Sequence, residues 1–412
     1  MAGLSGIRRV FAYRNARIFY AGSVVSWTGL WMQRVATDWL AWQLTHSALW
    51  VGIIAFCSLG PSLIVSPIAG AMADRLDRIR LTSVTQFLVS LHSATLVVLI
   101  LTGLIRVEII ACLEFLVGIA QTFAQPSRQG LVPGLVPRSE LAGAVALNSL
   151  SFNLARCVGP ALSGTLIALF GVVPSIACNC LAYLYASLTL RLIDIAPEYR
   201  RGHAPTGSVW HEAIDGLRYV GRHAGMAPIF VFAACAGMLL RAVPEMLPPF
   251  VAQLFSRGAE GLAILASTMG LAALAGGLTI AMRGRLAGLS RYALGSGLAL
   301  ALATAGFVST HSFGVGVACI AMMGAATTIH GIAIQTLLQS ACAPSMIGRV
   351  LSLWGMVVRA GPAIGALGYG LASEFIGLQA PVLIGCALAV GAFLWACTRL
   401  TRIEAALEVA IA

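Results

Sequence analysis

The chain has 412 residues, of which 59% are apolar and 10% charged, with a formal net charge of +11. A soluble protein carries about 25% charged residues, so there is too little polar surface here to face water, and most of the chain is solvated by lipid. The basic residues are scattered over short turns and form no continuous stripe, which argues against a nucleic-acid partner despite the charge.

In lipid every backbone N–H and C=O must be paired within the chain, which leaves helices or closed barrels. The apolar runs are about 20 residues long and do not alternate in polarity, so they predict helices. Arg8 and Arg9 precede the first run, which begins at Ile18. That run continues past a signal-peptide core to Asp38-Trp39 with no small-x-small cleavage site, and is expected to be retained as a first span. Twelve spans are predicted, near 17–44, 49–73, 81–104, 107–129, 142–170, 174–193, 226–254, 260–283, 288–309, 312–338, 349–376 and 379–400. They divide into a first half over 1–193, a polar linker over 194–225 and a second half over 226–412. In the linker, Trp210, Ala213, Ile214, Leu217 and Val220 recur every three or four residues. This predicts a helix on the membrane surface, either a tether between halves or a site for a regulatory partner.

All 26 basic residues are arginine. With the spans drawn as above, 20 fall on one side of the membrane and only Arg106 and Arg257 on the other, which puts both termini in the cytoplasm. The remaining four, Arg34, Arg156, Arg241 and Arg359, lie within spans. Most of the 10 cysteines sit in apolar runs and read as small buried hydrophobes. Cys178-Asn179-Cys180 is the one close pair and lacks metal-ligand spacing, so no metal site is expected.

Two motifs carry more. Gly70-Ala71-Met72-Ala73-Asp74-Arg75-Leu76-Asp77-Arg78-Ile79-Arg80 is a charged turn between spans two and three. Arg156-Cys157-Val158-Gly159-Pro160 returns in weaker form, half a chain later, as Arg359-Ala360-Gly361-Pro362. Duplicated apolar halves of this kind are how a secondary transporter reads.

The turn at 70–80 resembles the signature of the major facilitator superfamily, Gly-x-x-x-Asp-Arg-x-Gly-Arg-x-Arg, matched here at Gly70, Asp74, Arg75, Arg78 and Arg80, with Asp77 in place of the second glycine. Ala155-x-x-x-Gly159-Pro160-x-x-Ser163-Gly164 resembles the family's fifth-span exporter motif. The stretch from Phe123 through Pro126, Arg128 and Pro133, followed by Asn148, Asn153 and Arg156, is similar to the branch of enterobactin and macrolide exporters. The resemblance implies an all-α membrane protein of two pseudo-symmetric six-helix bundles around a cavity that opens alternately to each side. It also implies that Asp74 docks on the start of span eleven, here Gly348-Arg349, so that Asp74 and the neighbouring arginines gate the inner ends of the bundles. The other reading of these charges is that they stop helices and obey the inside rule.

Gly159-Pro160 puts a residue without an N–H inside a helix, and Gly159, Ser163 and Gly164 permit close helix approach. Gly361, Pro362 and Gly365 repeat the feature. It reads as a hinge and seal between bundles, or as tight packing alone.

A charge at the centre of a span costs roughly 2.5–3.5 kcal/mol on insertion scales, so such groups usually face a partner or water. Arg34 and Asp38 are four apart on span one and can pair; Arg241 and Glu245 repeat that spacing on span seven. Glu114 stands alone on span four, where the family often has arginine. Asp38, Glu114 and Glu245 are the expected proton carriers. Arg34, Phe123, Asn153, Arg156, Arg241, His330, Gln335 and Arg359 are the expected cavity residues, with Arg156 and Arg359 either neutralising the carboxylates or binding an anionic substrate. No lysine is present, so no phosphate-binding loop of the Gly-rich lysine type is encoded, and neither an enzyme nor a cofactor is expected.

The sequence therefore predicts a monomeric carrier of the bacterial inner membrane that exports an amphipathic small molecule, drug-like or siderophore, in exchange for protons. The alternatives are a lysophospholipid or metabolite carrier and a membrane sensor without flux.

Overall fold

A computed structural model describes residues 8–200, 209–283, 285–343 and 346–408, which are all-helical with no strand among them. The first bundle comprises α1 (Arg14–Thr45), α2 (Ala48–Leu59), α3 (Ser62–Arg75), α4 (Arg78–Leu101), α5 (Val107–Leu131), α6 (Leu141–Phe170) and α7 (Val172–Leu190). The linker holds α8 (Pro197–Arg200) and α9 (Val209–Arg222). The second bundle comprises α10 (Met226–Leu239), a 3₁₀ turn over Val243–Met246, α11 (Leu247–Phe255), α12 (Ala259–Arg283), α13 (Leu289–Ser309), α14 (Phe313–Ala341), α15 (Ile347–Ile376) and α16 (Gln379–Cys397), with α17 (Leu400–Leu407) after it.

Eleven helical segments among the described residues are long and apolar enough to span a membrane. The twelfth is α1, whose Gln33, Arg34 and Asp38 dilute its apolar character while its 32 residues, about 48 Å at 1.5 Å per residue, pack against α6 and α7. Two predicted spans are broken. Span two divides at Gly60-Pro61 into α2 and α3, and span seven divides after Leu239, ahead of the prolines at 244, 248 and 249. Proline withholds the N–H that would continue the ladder. Membrane proteins tolerate such a break where it lines a cavity.

The turn at Asp77 has a local cause. Its carboxylate accepts from the Arg80 N–H at 2.9 Å and caps α4, so the residue that departs from the family pattern starts the helix. Spans five and eleven end alike, on Gly171 (φ +80°) and Gly377 (φ +78°), a backbone conformation that favours glycine.

The cores show how the bundles meet. In the half distal to the termini, one apolar cluster draws on both bundles, from Trp39, Val51 and Ile110 to Leu240, Phe250 and Phe307. In the half that carries the termini there are two separate clusters, one around Phe19, Leu131 and Leu190 and the other around Ile229, Leu337 and Val350. The bundles thus share one core at the distal end and, among the described residues, keep separate cores at the other. The distal join is made by small residues: a Cβ on Gly52 of α2 would fall 2.5 Å from the Ala366 carbonyl oxygen of α15, and one on Gly164 of α6 would collide with Ala263 of α12.

Candidate functional site

Between the bundles lies a cavity of about 440 Å³, within the range of small-molecule sites. The break in span seven turns Arg241, Pro244 and Glu245 into it, opposite α1. The seven charged residues that the sequence singles out within spans all line it: Arg34, Asp38, Glu114, Arg156, Arg241, Glu245 and Arg359.

Their pairing differs from the expected one. Arg34 does not close on Asp38, and Arg241 does not close on Glu245; instead the Arg34 guanidinium donates to the Glu245 carboxylate across the bundle interface. A neighbour four residues away on a helix competes poorly here, because the broken backbone at 240–242 carries Glu245 out of helical register with Arg241 and towards α1. Among the described residues the Asp38 side chain makes neither a hydrogen bond nor an ion pair within 4 Å, and the same holds for the side chains of Arg241 and Arg359.

Glu114 is buried and faces His92 of α4, whose Nε2 lies 3.5 Å from its carboxylate. Behind it, His92 Nδ1 is 3.1 Å from Gln33 Nε2. The Gln33 carbonyl oxygen in turn accepts from Ser93 Oγ and Asn179 Nδ2, and Asn179 Nδ2 also lies 2.9 Å from Ser93 Oγ. This buried polar chain joins α1, α4, α5 and α7, and it ends on the cavity carboxylate of Glu114, which faces a histidine rather than an arginine.

Aromatic rings form the wall beside the charges. Trp31 stands 5.4 Å from the Arg34 guanidinium and 5.5 Å from that of Arg156, and Phe152 meets Trp27 and Trp31 edge-on at 5.4 and 6.1 Å.

Other expectations fall elsewhere. Phe123, Asn153, His330 and Gln335 are not among the lining residues. Asn153 is turned back on its own helix, donating to the Ser149 carbonyl at 2.9 Å, and Gln335 is exposed. His330 is buried in the second bundle, where its Nδ1 donates to the Ala293 carbonyl at 2.8 Å and its ring meets Phe232 edge-on at 5.4 Å. A polar group on a mostly apolar helix has found a carbonyl in the neighbouring helix and so faces the protein interior.

Of the turn at 70–80, Arg75 and Arg80 are exposed, and Arg78 donates to the Gly130 carbonyl at 3.2 Å, at the end of α5. The side chain of Asp74 and residue Gly70 lie outside the described side chains, so the expected docking of Asp74 on Gly348-Arg349 is not described. Arg349 is met by Asp215 of α9 at 3.6 Å, and Gly216 packs against Arg349 and Leu353. The linker helix therefore rests on α15, and it also lies against α3. Ile214 and Leu217 are left exposed; Trp210 and Ala213, part of the same predicted face, lie outside the described side chains.

Of the glycines in the proline motifs, Gly159 and Gly361 pack within their own bundles, against Thr28 and Trp31 and against Gly237, while Gly164 faces the other bundle. Pro160 and Pro362 sit inside helices that run through them, and both line the cavity.

One charged lining residue is not expected from the sequence, which counts Arg128 among the loop arginines. The structure sets it within α5, buried, 4.0 Å over the Trp27 ring, with Nε and Nη2 unpartnered among the described residues. Glu114, Gly118, Gln121, Gln125 and Arg128 all line the cavity, and their spacing of three or four residues is the polar stripe that points to it.

The chain matches the family described as transmembrane secretion effector over residues 9–411. It is 30% identical to the staphyloferrin A transporter of Staphylococcus aureus over 42% of this chain and 44% of that protein, so the match spans less than half of that relative. It is 21% identical to macrolide efflux protein A of Streptococcus pyogenes over 89% of this chain and 92% of that one. It is 25% identical to the enterobactin exporter EntS of Salmonella typhi over 85% and 83% respectively. Among solved structures it resembles the nucleoside transporter NupG (TM-score 0.74, 13% identity, 94% of this chain and 99% of that one). It also resembles a bacterial homologue of the iron transporter ferroportin in an inward-facing state (TM-score 0.69, 15% identity, 95% and 98%). These likenesses show the fold.

Proposed function

Because this chain belongs to the transmembrane secretion effector family of the major facilitator superfamily, we propose that it exports an amphipathic small molecule by alternating access, coupled to protons. The observation that carries this reading is the cavity itself: closed at its distal end by a shared core and lined from both bundles by carboxylates, arginines and tryptophans. The named relatives that export macrolides and enterobactin support the direction. A charge in lipid is expensive, and keeping eight charged side chains around one cavity is intelligible if ions or protons pass there.

In this reading Asp38, Glu114 and Glu245 carry the protons. Glu245 holds Arg34 across the interface while ionised, and protonation releases that link and frees the bundles to rock. Glu114 exchanges its proton against the polar chain through His92 and Gln33. Trp27, Trp31 and Phe152 hold the apolar part of the cargo. Asp74 with Arg75, Arg78 and Arg80 gates the terminal side, and Gly159-Pro160-Gly164 with Gly361-Pro362 supplies the hinge and seal. The carrier acts as a monomer in the bacterial inner membrane, with 1–193 and 226–412 as the moving bodies and 194–225 as tether. The arginine bias supports cytoplasmic termini, which makes the present state inward-facing.

The test is reconstitution with a pH-sensing dye inside the vesicles and a panel of amphipathic compounds outside. Proton movement evoked by at least one compound, abolished by Asp38→Asn with Glu114→Gln and by Asp74→Asn at normal membrane insertion, is the expected result. Compound flux of undiminished rate in the presence of an uncoupler would overturn proton coupling.

A further inference from the structure

We infer that the cargo is an anion: a small molecule with an aromatic or apolar skeleton and at least one carboxylate or equivalent acid group, held by Arg156, Arg241 and Arg359. This names the substrate class of the cavity and rests on the carrier reading above. Among the described residues the cavity is lined by five arginines, Arg34, Arg128, Arg156, Arg241 and Arg359, and by three carboxylates, Asp38, Glu114 and Glu245. Positive charge is in surplus even when every carboxylate is ionised, and the surplus grows with each proton bound.

The arginines are also unspent. Among the described residues only Arg34 of the five has an ion-pair partner, and it is Glu245 of the other bundle. Arg156, Arg241 and Arg359 line the one cavity, and among the described residues no acid pairs with any of them. Among the described residues the Nε of Arg156 and the Nε and Nη2 of Arg128 are buried with no hydrogen-bond partner. A guanidinium in a low-dielectric wall is costly unless something anionic completes it, and its planar fork matches the two oxygens of a carboxylate. Three elements contribute to the cluster: α6 gives Arg156, the break in span seven gives Arg241 and α15 gives Arg359. Trp31 lies 5.5 Å from Arg156, which sets an aromatic surface for the cargo skeleton beside its acid group. A cation of the same shape would have to sit among these charges, so the arrangement selects against it as well as for the anion.

The experiment uses the purified full-length chain and three probes of one skeleton: naphthoate, the uncharged naphthalene methanol and naphthylmethylammonium. Calorimetric titration should give naphthoate about tenfold tighter binding than the alcohol, the scale of one charge-assisted hydrogen bond, and weaker binding still for the ammonium. Arg156→Gln and Arg359→Gln should each erase most of that preference, and Arg156→Lys should retain part of it. Equal binding of all three probes, or preference for the ammonium, overturns the proposal, and this comparison needs only the wild-type protein. Flux is read separately in vesicles. Selective binding of naphthoate without transport of any probe would leave the anion site standing and sink the carrier reading. Transport of the alcohol or ammonium with no dependence on the arginines would do the reverse.

Discussion

Arg34 of α1 and Glu245 of the 3₁₀ turn in span seven form an ion pair that bridges the two bundles inside the cavity. Each belongs to a segment that the sequence makes pseudo-symmetric with the other, yet the bond runs between the copies and not within them. The pair is partly open to the cavity, so its worth lies between that of a surface pair and that of a buried one, about 1–2 kcal/mol. Glu245→Gln should shift the balance towards the state in which the bundles part distally, by about tenfold in population. Spin-label distances across the distal faces of α2 and α15 measure this; unchanged distances in the variant would show that the pair does not bias the equilibrium.

Glu114 and His92 should behave as a unit. Glu114→Gln is expected to abolish proton-driven flux and preserve cargo exchange at equilibrium, since exchange needs no net proton movement. His92→Phe removes the group facing the carboxylate but leaves Glu114 itself, so it should move the pH midpoint of transport without abolishing it. A pH profile of vesicle uptake for the wild type and both variants separates these outcomes.

The small-residue joins predict a steric lock. Gly164→Val places a branched side chain where Ala263 of the other bundle already sits, so the distal closure seen here should become inaccessible. Transport should fall by more than about tenfold while the protein still inserts and folds, because each bundle keeps its own apolar cluster at the terminal end. Protease or thiol accessibility of the distal cavity, increased in Gly164→Val, checks the mechanism.

His223 lies outside the spans, at the start of α10, where its Nδ1 accepts from the Gly225 and Met226 N–H groups at 3.3 Å each. Burial holds the imidazole below its ordinary value of 6.5, and the acceptor geometry requires it neutral. The unfolded chain binds the proton more readily than the folded one, so this joint contributes its full stability above about pH 6.5 and loses it as the pH falls below that value. Amide protection factors at 225–227, taken against the intrinsic exchange rate at each pH, should therefore fall at pH 5.5, and His223→Asn, which keeps an acceptor that does not titrate, should remove that fall.

Asp215 and Arg349 tie the linker helix to α15 at the end of the molecule that carries the termini. Both side chains are about one-third exposed, so Asp215→Asn should cost less than about 1 kcal/mol in stability. Its effect is expected on rate instead, since α9 also touches α3 and must slide when the inner ends close. A change in turnover with an unchanged melting temperature is the result to look for.

Lipid makes much of this protein legible without coordinates. Because no backbone polar group can go unpaired in a bilayer, the apolar runs announce helices; the Gly-Pro recurrence at Gly159-Pro160 and Gly361-Pro362 announces the duplication, and the cost of burying charge singles out Arg34, Asp38, Glu114, Arg156, Arg241, Glu245 and Arg359 as cavity residues. The polar stripe that ends on Arg128 is written in the same way and is easily passed over, since Arg128 stands next to a loop. Partner choice is not written in this way. Helical spacing offers Arg34 to Asp38, and only the break at 240–242 swings Glu245 across to take it. Spacing cannot say that His330 meets the Ala293 carbonyl of a neighbouring helix, nor that the distal halves share one core while the terminal halves keep two. Those outcomes depend on how separate helices are set against one another in three dimensions, and contacts between distant segments compete on distance and geometry that no local pattern of residues contains.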